Sequence, residues 1–74
     1  MRRFRGADGL DWTAALWCGS YGEVMLIFSR AGSTELFQVQ LEAESQAAGE
    51  ALLFGLEEAD LQQRLGDAEP WPTD

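Results

Sequence analysis

The side chains able to do chemistry in this sequence are few in kind. It carries 13 carboxylates, five arginines and one cysteine, and it has no lysine, histidine or asparagine. Without histidine the commonest general base is missing, and so is the base of a Ser-His or Cys-His pair. Without lysine there is no Schiff-base nucleophile and no phosphate-loop cation. Zinc-type sites need several thiolates or imidazoles, and Cys18 stands alone. Carboxylates are what remain. Glu42, Glu44 and Glu50, or Glu57, Glu58 and Asp60, could offer oxygens to a hard cation, but such runs are characteristic of a solvated helix surface. The segment Gly19-Ser20-Tyr21-Gly22 lacks a lysine and precedes a strand, so it reads as a hairpin turn and not as a phosphate cradle. Cys18 has no basic neighbour to lower its pKa and reads as an ordinary strand residue. The inventory therefore predicts no catalytic, metal-binding or cofactor-binding residue and no small-molecule substrate. It predicts a protein that is not an enzyme.

Binding is the chemistry left, and charge bears on it first. The net charge of −8 is carried entirely by residues 42–74, which hold nine acids and only Arg64, whereas four acids and four arginines cancel in residues 1–41. Arg2-Arg3-Phe4-Arg5 has the basic-aromatic look of a nucleic-acid contact, yet three arginines work against a strongly acidic whole. Charge guarding an exposed strand edge accounts for them better, and no direct nucleic-acid partner is expected. The acids Glu50, Glu57, Glu58 and Asp60 could imitate a phosphate array and occupy a basic nucleic-acid-binding protein. That is the alternative reading; a solubilising helix surface is the plainer one.

The elements that must position these groups follow from punctuation and periodicity. Ala7-Asp8-Gly9, Gly19-Ser20-Tyr21-Gly22 and Gly32-Ser33 separate four apolar runs, residues 2–6, 10–18, 23–30 and 35–41. Gly and Asp tolerate the backbone of tight turns, so the runs read as an antiparallel meander in the order 1-2-3-4. A three-residue Ala7-Asp8-Gly9 loop sets Phe4 opposite Trp12 and Arg5 opposite Asp11. An odd loop around Gly19–Gly22 sets Trp12 opposite Phe28, Ala14 opposite Leu26 and Leu16 opposite Val24. A two-residue Gly32-Ser33 turn sets Phe28 opposite Phe37, Leu26 opposite Val39, Val24 opposite Leu41 and Arg30 opposite Glu35. All three turns agree on one core face: Phe4, Trp12, Ala14, Leu16, Val24, Leu26, Phe28, Phe37, Val39 and Leu41.

From residue 43 the composition turns to helix formers. Ser45 can cap a helix that presents Ala48, Ala51 and Leu52 on one face and stops at Gly55. A second helix follows, with Leu56 and Leu61 as its staple and Gly66 at its end. The prediction is an α+β fold: a four-stranded antiparallel meander followed by two short C-terminal helices packed on one sheet face. The domain should span residues 1–68, with the meander over 1–41, the helical segment over 43–66, and a flexible tail at 69–74 unless Trp71 docks. Seventy-four residues suffice for one core and leave little for a ligand cavity.

The opposite sheet face then holds Arg3, Arg5, Asp11, Thr13, Ala15, Trp17, Met25, Ile27, Ser29, Leu36, Gln38 and Gln40. Ala15, Trp17, Met25, Ile27 and Leu36 make one end too apolar for plain solvent, and two short helices can cover only one side. These five residues are the predicted interface of a protein-interaction module, either a homodimer or an accessory subunit of a larger assembly. The lone Cys18 suits a reducing compartment. The basic start lacks the apolar run of a signal peptide and no stretch has the length of a membrane span, so a cytoplasmic protein with no membrane partner is expected.

Overall fold

A computed structural model describes residues 2–19 and 21–71. The elements run β1 (Arg2–Arg5), β2 (Asp11–Cys18), β3 (Val24–Arg30), β4 (Leu36–Gln40), α1 (Gln46–Gly55), α2 (Glu58–Asp67) and β5 (Glu69–Pro70). The strands form one antiparallel sheet in the order β1-β2-β3-β4-β5, with both helices on one of its faces. The α+β architecture and the meander are as the sequence predicts; the fifth strand is an addition.

All ten residues of the predicted core face lie in one apolar cluster, which the helices close with Leu53 and Leu61 and, at its margin, Leu56 and Leu65. Alternation decides this: burying one face of a pleated strand buries every second residue. Phe4 meets Phe28 edge-on at 5.8 Å between ring centroids, and Trp12 meets Phe37 at the same distance. The Asp8 carboxylate accepts from the Leu10 backbone N–H at 3.0 Å and from Trp12 Nε1 at 3.3 Å. Those bonds, the Leu10 one foremost, hold its carboxyl below the usual carboxylate range.

Register follows the expected pairs in two hairpins and differs in one. Phe4 faces Trp12, Arg5 faces Asp11, Phe28 faces Phe37 and Leu26 faces Val39. Between β2 and β3, Trp12 faces Arg30, Ala14 faces Phe28 and Leu16 faces Leu26, so the pairing slips by two residues from the expected one. The cause is the loop's left-handed residue. Gly22, at φ 85°, takes that position, and the closing pair becomes Gly19 with Glu23, whose backbones bond at 2.8 Å. A slip of two preserves the face of every side chain, which is why the core assignment survives it. The last turn is centred on Ala31-Gly32, one residue earlier than expected, with Gly32 at φ 80° and Ser33 N–H bonded to Arg30 O. The ladder ends at Ser29 and Leu36, so Arg30 faces Trp12 across the sheet and is not laddered to Glu35.

The first helix is capped as predicted, Ser45 Oγ accepting from the Ala48 N–H at 3.2 Å, but its buried face is another one. Gly49 and Leu53 point inward, while Ala48, Ala51 and Leu52 are exposed. A Cβ on Gly49 would stand 2.9 Å from a Val24 methyl, so the absence of a side chain is what lets α1 settle on the sheet. The second helix begins as expected. Asp60 accepts from the Glu57 N–H at 3.2 Å, and Leu56 and Leu61 flank that start as the staple, with Leu61 fully buried. It runs to Asp67, one residue past the expected stop at Gly66.

Candidate functional site

Surfaces of this protein differ in how far its own backbone and side chains have closed them. The sheet edges are each covered over part of their length. Gly6 bonds to Leu10 at the mouth of the first hairpin, so by alternation the backbones of Arg3 and Arg5 point away from β2. The Arg5 N–H donates to Glu58 Oε1 at 3.0 Å, and Gln62 Nε2 donates to the Arg5 carbonyl at 2.7 Å. Glu58 and Gln62 are four apart on α2, one turn of helix, and together they cover the Arg5 end of the β1 edge. Arg2 reaches the other helix: its guanidinium donates to the carbonyls of Leu53, at 2.9 Å, and Leu56. A cation on those C-terminal carbonyls offsets the negative end of the α1 dipole. On the far edge, Trp71 N–H bonds to Leu36 O at 2.8 Å. Pro70 is therefore the residue of β5 whose backbone faces outward, and it has no N–H to offer a further strand.

The tail assigned to residues 69–74 is thus built into the sheet as far as Trp71. Residues 72–74 lie outside the described residues. The reason is register: Glu69 pairs with Gln38 and Pro70 with Phe37, which sets Trp71 beside Leu36 on the face away from the helices. There its ring meets Trp17 edge-on, 5.4 Å between centroids. Trp17 sits on β2 and Trp71 follows β5, three strands away and four residues further along the ladder, so the rings reach diagonally toward each other. The two rings accordingly close over β3 and β4.

The five predicted interface residues come together on this outer face. Ala15 faces Ile27 and Trp17 faces Met25 across the β2–β3 ladder, and Leu36 lies one strand further, opposite Ser29. Trp17 is 43% exposed and Leu36 38%, large apolar groups left open although Trp71 partly covers them. Ala15, Met25 and Ile27 are half-buried. Trp71 is a sixth member that the sequence signalled only as an isolated aromatic between two prolines. Glu69 is another addition, since pairing with Gln38 puts it on the same face.

The alternative acidic surface is organised differently. Glu50, Glu57, Glu58 and Asp60 are all exposed, but Glu58 holds the β1 edge and Asp60 caps α2. Among the described residues, no three acidic or thiol groups converge in an arrangement that could hold a metal ion, and Cys18 is a free, exposed thiol. No described helix is long and apolar enough to cross a membrane. Comparison with protein-family models, with curated proteins and with solved structures returns no match for this chain.

Proposed function

We propose that this protein is a non-catalytic interaction module that binds a protein partner through the outer face of its sheet, as a homodimer or as an accessory subunit of a cytosolic assembly. The observation that carries the reading is the open apolar patch of Trp17, Leu36 and Trp71 on a sheet whose helices cover only the other side. Interface cores are enriched in Trp and Met and depleted of charge, and this patch has that composition. Partly covered edges disfavour edge-to-edge pairing and make face-to-face contact the favoured mode of association for the sheet. The acidic surface is the weaker candidate, because two of its four carboxylates serve the fold.

Ile27→Asp tests this. It puts a charge in the middle of the contact, so association measured by sedimentation velocity or by capture of a partner is lost. The dilute, unassociated domain melts within a few degrees of wild type. A loss of stability as large as that of the core change Leu26→Ala would make this face internal and contradict the proposal.

A further inference from the structure

We propose that the partner on this face is a second copy of the chain, related by a two-fold axis that runs parallel to the strands beneath β3. The inference rests on the sheet-face reading and names its partner. Charge partition is the first argument. The strands place four charges on the outer face, Arg3 and Arg5 against Asp11 and Glu69, which cancel, and Glu23, just before β3 and paired with Gly19, adds one acid there, so the face carries −1 of the chain's −8. Two copies joined by this face therefore bring their nearly neutral sides together and hold most of the acidic excess on opposite outer surfaces, where water screens it.

The position of the four charges selects the axis. Arg3 and Arg5 lie on one edge strand and Glu69 on the other. An axis along the strands lays β1 of each copy over β5 of the other, with β3, the middle strand, over its own counterpart. Arg3 shares a cross-strand row with Thr13, Ser29, Leu36 and Trp71. In the dimer it stands over the Trp71 backbone and within reach of Glu69 in the second copy, an ion pair made twice by symmetry. Ile27 lies near the axis. An axis perpendicular to the strands would instead lay β1 over β1 and oppose arginine to arginine. The molecule measures 33 × 32 × 18 Å, so its broad side, on the order of 1,000 Å², accommodates the roughly 800 Å² per partner of a standard interface.

Charge reversal on the two edges reads this arrangement out. The full chain should sediment at twice its 8.2 kDa mass. Arg3→Glu and Glu69→Arg each change an exposed side chain that makes no described bond within the fold, and each should weaken the dimer roughly tenfold. The double variant should recover affinity to within a few-fold of wild type. A wild type that stays monomeric at millimolar concentration overturns the second-copy inference, and the wider reading then stands or falls on Ile27→Asp. A dimer indifferent to both reversals but sensitive to Ile27→Asp overturns the axis. A dimer indifferent to all three changes overturns this inference and the sheet-face reading together.

Discussion

Trp12 shows how much a single residue can carry in a core this small. It is 7% exposed, packs edge-on against Phe37, and directs its indole N–H to Asp8. Replacing a buried aromatic by alanine removes its transfer energy and leaves a cavity, about 3–5 kcal/mol together. That is comparable to the whole stability of a domain of this size, so Trp12→Ala should abolish the cooperative thermal transition seen by circular dichroism. A sharp transition retained near the wild-type temperature would refute its place in the core. The burial of Trp12 and its companions was legible because alternation needs only parity, and parity is robust. Gly49 was not legible. A glycine contributes nothing to an apolar stripe, so Ala48, Ala51 and Leu52 claimed the buried face, whereas steric approach chose the residue with no side chain.

Among the elements, the turns decided what could be read in advance. Ala7-Asp8-Gly9 has one glycine, at the position that needs positive φ, and its hairpin forms in the predicted register. The second loop has glycines at both ends, and only packing and loop geometry decide that Gly22, not Gly19, takes the left-handed place. Long-range clamps carry no local pattern at all. Arg2, expected only to guard an edge, instead ties β1 to the end of α1, a contact between residues more than fifty apart. Arg2→Ala would leave the Leu53 and Leu56 carbonyls without that donor and without the favourable charge, about 1–2 kcal/mol in all. Urea denaturation should show a lower midpoint with an unchanged slope. Arg2→Lys should recover part of the loss, because the charge returns without the forked geometry. A wild-type midpoint for Arg2→Ala would mean that the clamp contributes nothing in solution.

For the whole molecule, the sheet divides the surface into two sides of different character. One side meets the helices and carries most of the acidic excess beyond them; the other is close to neutral and centred on Trp17, Ile27, Leu36 and Trp71. The strand pattern made the second side visible, but not its closure by Trp71, since a segment bounded by two prolines has no periodicity to place it. The three tryptophans divide between the sides, Trp12 within the core and Trp17 and Trp71 on the open face. Fluorine NMR of the 5-fluorotryptophan-labelled protein therefore reports both environments at once. As concentration is raised through the range where sedimentation shows association, the Trp17 and Trp71 resonances should shift together while that of Trp12 holds still. Constant Trp17 and Trp71 resonances across that range would place the contact elsewhere and contradict the sheet-face account.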